Sequence, residues 1–283
     1  QQEGVYAFEE AEDADDSVDG VMNICTEVLE ELTDVVDACL SQDPKRYDVI
    51  KEYLQAYQGM LLFKVTNFTN EAEVGDLEAH EALRLMDFIL AYTHLIDKAL
   101  QDNDNEDLKA LFNTEVFKEE LIFLRDSYCI KAKPTLTNMC ENIAKITLQN
   151  PAKAISEKPD GKYHTPAPVD LFSMINEYVA IAGRGGMKEL QVEVIKMCLS
   201  GIKQYQKCME EGIVEFEDPA DELLLLCAII NDCDEIADNL DSNIEDQYED
   251  LLEEFDIERE MDAVRIQCQS LSRFSTGTIK NVI

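Results

Sequence analysis

Tyr163-His164-Thr165-Pro166-Ala167-Pro168-Val169-Asp170-Leu171-Phe172, followed by Ile175-Asn176-Glu177, reads as a proline-marked turn that feeds an amphipathic helix. Asp218-Pro219-Ala220-Asp221-Glu222-Leu223, followed by Leu226-Cys227-Ala228-Ile229-Ile230-Asn231, has the same form. Proline suits the first turn of a helix because its missing N–H is one that the helix start leaves unbonded anyway. Asp170 and Asp218 are placed to cap these helices by accepting first-turn N–H groups. Neither stretch groups residues suited to making or breaking covalent bonds.

Working outward, apolar residues recur at three- and four-residue spacing, the period of a helix with one buried face. Val21, Ile24, Val28, Leu32, Val35 and Cys39 form one stripe, with Glu27, Glu30, Glu31, Asp34 and Asp37 outside it. Asp43-Pro44 reads as the start of a second helix through Ile50, Leu54, Tyr57 and Leu61, with a break expected near Asn67 to Gly75. The helix from Asp76 to Leu100 carries two stripes, Leu83/Met86/Leu90 and Leu85/Phe88/Tyr92/Leu95, and so is expected between neighbours. A helix through Phe117, Leu121, Leu124 and Tyr128 is expected to stop at Lys133-Pro134, because proline disfavours helix in the residue before it. A shorter helix with Met139, Ile143 and Ile146 follows. Beyond Pro168, Leu190, Val194, Cys198, Ile202, Tyr205 and Met209 share one face, and the stripe of the last helix slips phase after Phe255, as at a bend or stutter.

No strand alternation of useful length and no fixed-period repeat appears. The expected fold is therefore all-α: consecutive antiparallel helical bundles stacked into an elongated rod. The expected organisation is an acidic flexible leader at 1–19, a first bundle at 20–150, a hinge at 151–168 containing the turn Pro159-Asp160-Gly161, and a second bundle at 169–283.

The formal net charge of −36 repels nucleic-acid phosphates and anionic headgroups, so a basic protein surface is the expected partner. The apolar run Leu223 to Ile230 is far short of the ~20 residues that span a bilayer, so no membrane insertion is expected. Nine scattered cysteines without a C-x-x-C pair fit buried thiols in a reducing compartment. Asn67-Phe68-Thr69 matches the glycosylation acceptor pattern, and with no secretory signal read in the sequence the match is expected to be chance. The chain opens without Met and is expected to be a fragment of a longer protein or a processed product.

Candidates for chemistry are few. Asp15-Asp16-Ser17-Val18-Asp19 has the D-D-x-x-D form by which helical prenyl-diphosphate enzymes hold magnesium, but it lies in the acidic leader. A second such motif is missing, since Asn231-Asp232-Cys233-Asp234-Glu235 has the wrong spacing. Asp102-Asn103-Asp104-Asn105-Glu106 opens like a calcium loop, yet Asp107 stands at the glycine position and Asn113 at the bidentate acid. His80-Glu81 opens like a zinc-protease helix, with Arg84 where the second His belongs, and His94 and His164 have no Cys or His at ligand spacing. Gly183-Arg184-Gly185-Gly186 lacks the lysine and hydroxyl of a phosphate loop. No catalytic, cofactor-binding or metal-binding residue is therefore expected, and no residue can be assigned to a partner.

The two opening stretches resemble the Sec-six subunit of the exocyst, also called exocyst complex component three. The resemblance rests on Thr165, Ala167, Pro168, Asp170, Leu171, Phe172 and Glu177, then on Asp218, Pro219, Ala220, Leu226, Cys227, Ala228, Ile230 and Asn231. It covers about residues 161–240, with Asp218 where Glu is usual and Tyr178 where Gln is frequent. It implies a rod of helical bundles with no enzymatic activity and no cofactor. It also implies assembly with other exocyst subunits, foremost the Sec-eight subunit, and tethering of secretory vesicles to the plasma membrane before fusion driven by SNARE proteins, which are further possible partners. Such a subunit is cytoplasmic and joins the plasma membrane peripherally. The other readings are an interaction protein of a related exocyst-like or other tethering complex and, less favoured, a magnesium-dependent helical prenyl-diphosphate enzyme.

Overall fold

The computed structural model describes residues 18–40, 47–101, 114–149, 155–159, 161–184, 186–216 and 222–283. Helices account for nearly all of them, and the fold is all-α. By its contacts the chain parts into two units, Gln1–Lys131 and Ala132–Ile283.

In the first unit, helices α1 (Val18–Leu40), α2 (Tyr47–Glu71) and α3 (Ala79–Gln101) come first, and α1 packs on both of the others. Val21, Val28 and Leu32 of α1 are buried, while Glu27, Glu30, Glu31 and Asp34 lie on the outer side, as the stripe predicts. In α3 the stripe Leu85, Phe88, Tyr92 and Leu95 is buried and Tyr92 meets Phe117 edge to face, while Leu83 and Leu90 are half-buried. The break expected near Asn67 comes later, because α2 runs on to Glu71. Val65 and Thr69 are buried there, and Thr69 Oγ1 donates back to the Val65 carbonyl, which keeps the last turn helical. The acceptor-like triplet thus lies inside a helix with its threonine buried. Gly75 turns the chain toward α3 at φ +96°, where a Cβ would come within 3.3 Å of Ile130 Cγ2.

A 3-10 turn, Thr114–Phe117, leads into α4 (Lys118–Gln149). The helix stop expected at Lys133-Pro134 is overturned: α4 passes through Pro134 without a break. The Pro134 ring points to solvent, and Ile130, whose carbonyl loses its partner, is also exposed, so water can satisfy that carbonyl. Burial of Ala132, Leu136, Cys140 and Ala144 on the opposite side holds the helix together. That buried face is not the expected Met139/Ile143/Ile146 stripe, since Met139 and Ile146 are exposed and Ile143 is half-buried.

The boundary between the units falls within α4. In the second unit, β1 (Ser156–Glu157) pairs antiparallel with β2 (Tyr163–His164) in a small hairpin. Its turn is closed by Gly161 N–H donating to the Lys158 carbonyl, with Gly161 at φ +81°. Helices α5 (Ala167–Gly183), α6 (Lys188–Val214) and α7 (Leu223–Leu240) follow. A π-helical turn, Asp241–Glu245, leads to α8 (Asp246–Phe255), and α9 (Glu258–Val282) ends the unit. The central helix is α6: Leu190, Val194, Cys198, Ile202, Tyr205 and Met209 are all buried, and so are Val192, Ile195 and Leu199 on other sides. It is packed by α5, α8 and α9. Gly201 lets α4 approach closely, since a Cβ there would lie 2.8 Å from Cys140 Sγ. The phase slip after Phe255 is a true helix end: Asp256 turns left-handed at φ 51° and its N–H closes on the Leu252 carbonyl.

Asp170 does not cap α5. The helix begins before it, with Pro166 at the cap position and Ala167 and Pro168 buried in the first turn. Asp43-Pro44 and Asp218-Pro219 lie outside the described residues. All described cysteines are free thiols, and Cys140, Cys198, Cys233 and Cys268 are buried.

Candidate functional site

The two proline-marked stretches meet. The hairpin strand β2 and Thr165 lie against α7, the helix that the second stretch enters. Asn231 Nδ2 donates to the Tyr163 carbonyl at 2.9 Å. One residue on, Asp232 accepts three bonds from Thr165: from its N–H at 3.1 and 3.2 Å and from its hydroxyl at 2.6 Å. The same Thr165 oxygen accepts the Ala167 N–H at 3.2 Å, so one threonine both starts α5 and ties it to α7.

His164 lies between two acids. Its Nδ1 is 3.2 Å from Asp232 Oδ1 and 2.9 Å from Glu235 Oε2. Glu235, one helical turn after Asp232, also takes Lys158 Nζ of the hairpin at 2.8 and 2.7 Å on its two oxygens. Asp232 is 1% exposed, and burial pushes its carboxyl up to about 7 against the opposing pull of the Thr165 bonds. The Glu235 charge adds to the rise and the Lys158 ammonium opposes it.

Chemically this is a clasp. Thr165 is 4% exposed and its hydroxyl is committed at both ends, so it is not placed to attack a substrate. The cluster fastens a short hairpin and the start of α5 to α7 by polar bonds that survive because water is kept out.

The other sequence candidates are not brought together. Asp15 and Asp16 lie outside the described residues, and Asp19 is engaged with Arg84 at 2.8 Å. Asp102 to Asp107 and Asn113 also lie outside them. His80 and His94 are exposed and join no ligand set among the described residues. Gly183 ends α5 and Gly186 takes φ +75°, the helix stop that the glycines suggest. Sequence reasoning missed Asp232 and Glu235 as partners of His164. The available signal was an acid on an apolar face: Asp232 stands in the buried line Ile229, Cys233, Ile236 and Leu240.

A separate cleft of about 270 Å³ opens between α8 and α9. Leu252 and Met261 floor it, and Glu245, Glu249, Glu253, Glu258 and Asp262 surround it with Arg265. Arg265 is bound to Asp241, Glu245 and Asp262, which leaves the rim strongly acidic.

The family described as Exocyst complex component Sec6 matches residues 2–283. The chain belongs to that family. No curated protein and no solved structure matches it. Exocyst complex component Sec6 proteins are subunits of a vesicle-tethering complex, a structural role, so other exocyst subunits are the expected partners. Both stretches that carry the family resemblance run into the clasp, where their residues set how α5 and α7 pack in the second unit. No described helix is long and apolar enough to cross a membrane.

Proposed function

We propose that this chain acts without catalysis as a scaffold subunit of the exocyst, holding secretory vesicles at the plasma membrane before SNARE-mediated fusion. The family match over residues 2–283 carries the reading. A fold of long packed helices supports it, because an α-helix gains about 1.5 Å per residue and a scaffold needs reach more than a pocket.

Charge points to the kind of surface that this subunit meets. With a net charge of −36 and an acidic cleft on α8 and α9, it is suited to basic faces of partner proteins and unsuited to direct contact with anionic lipid. Recruitment from the cytoplasm to the plasma membrane would then be peripheral and run through partners. The Sec-eight subunit is the foremost candidate and SNARE proteins are further ones. The test is affinity purification of the intact protein from its own cells at moderate salt. Co-elution of exocyst subunits, with the Sec-eight subunit among the strongest, is the expected result. An eluate free of exocyst subunits overturns the reading.

A further inference from the structure

His164 is not explained by the clasp alone. Its side chain is 8% exposed, and Nδ1 stands 2.9 and 3.2 Å from two different carboxylates. Neither contact has hydrogen-bond geometry, and Nδ1 is a buried nitrogen without a hydrogen-bond partner. A single proton on Nδ1 can serve one acceptor well and leaves the other carboxylate facing the ring without a bond from it. The ligand atoms of His164, Asp232 and Glu235 all lie within 4.8 Å of one another. Two ligands on one tetrahedral ion, each about 2.1 Å from it, are about 3.4 Å apart, so small rotations of the two carboxylates bring the three atoms to coordination distance.

We propose that His164 Nδ1, one oxygen of Asp232 and one oxygen of Glu235 form a site for a single divalent transition-metal ion of the zinc type, which pins the β1–β2 hairpin to α7. One imidazole nitrogen with two carboxylates suits zinc and its neighbours, whereas magnesium and calcium prefer fuller shells of oxygen. The site has the support that such ligands need. Thr165 fixes Asp232 through its N–H and hydroxyl, and the turn between Asp232 and Glu235 puts both acids on one face of α7. Three protein ligands leave a fourth position for water. Access lies on the side of Glu235 and Lys158, whose side chains are 22% and 40% exposed. Lys158 is the resident competitor: its ammonium neutralises Glu235, and a metal must share or displace it. The site lies wholly in the second unit and does not depend on the tethering role.

The experiment is zinc titration of the chelator-treated chain by calorimetry, with cobalt absorption as the spectroscopic readout. One ion per chain is expected, with a visible cobalt spectrum of nitrogen and oxygen ligands. His164→Asn is expected to weaken binding by about ten-fold or more, and Glu235→Gln, at a more exposed position, to weaken it with the helical circular dichroism unchanged. Lys158→Ala is expected to bind more tightly, because the competing charge is gone. The site is overturned by the lack of stoichiometric binding, by a cobalt–thiolate charge-transfer band showing cysteine ligands, by binding that His164→Asn and Glu235→Gln leave unchanged, or by loss of binding in a folded Lys158→Ala chain.

Discussion

Thr165 shows how much one side chain can decide here. Its N–H and hydroxyl reach a carboxylate buried to 1% exposure, and its oxygen also takes the first N–H of α5. Thr165→Val keeps the shape and removes the hydroxyl, leaving an Asp232 oxygen and the Ala167 N–H each one partner short. The expected cost is about 1–3 kcal/mol of unfolding free energy, read as a lower urea midpoint with the helical signal intact. An unchanged midpoint would show that the clasp contributes nothing to stability. The sequence singles out Thr165 through its place in the Thr-Pro-Ala-Pro turn. It does not reveal Asp232 as the partner, because 67 residues separate them and no local period records such a meeting.

At the scale of elements, α4 departs most from expectation. Local propensity ends a helix before Pro134, yet the buried row Ala132, Leu136, Cys140 and Ala144 carries it through. Tertiary packing outweighs one lost backbone bond when that bond faces water. The proline therefore stands as a tolerated cost. Pro134→Ala is expected to raise the unfolding free energy by about 1–3 kcal/mol, since proline is about 3 kcal/mol worse than alanine inside a helix and an exposed site recovers part of that through solvent. A lower urea midpoint in Pro134→Ala would contradict this account of α4. The same helix shows why hydropathy points to the wrong face. Met139, Ile143 and Ile146 form a good apolar stripe, but it is the adjoining face, with the small Cys140 and Ala144, that is buried, and Gly201 of α6 comes close at Cys140. Close packing selects the smaller side, and hydropathy alone favours the larger one. By contrast, the stripe of α6 from Leu190 to Met209 is legible in full, because a helix packed on several sides buries that whole face.

For the whole molecule, charge matters most after packing. With 60 acidic against 24 basic side chains, the folded state carries strong self-repulsion. Raising salt from about 10 mM to about 150 mM shortens the screening length from roughly 30 Å to roughly 8 Å. The thermal midpoint is therefore expected to rise over that range, and a falling midpoint would mean that attractive pairs such as Arg265 with its three acids outweigh the repulsion. The same field weakens any binding to basic partners as salt increases, which is why the purification is set at moderate ionic strength. What this chain's residues determined unaided is its helical class, most of its buried stripes, its turn at Gly161 and the family it belongs to, because each is written in near-neighbour spacing or in short residue strings. What the tertiary structure alone decided is which face of α4 is buried, that the helix survives Pro134, and that His164 meets Asp232 and Glu235. Those outcomes depend on groups brought together across many turns of chain, where burial and desolvation, rather than local preference, set the balance of energies.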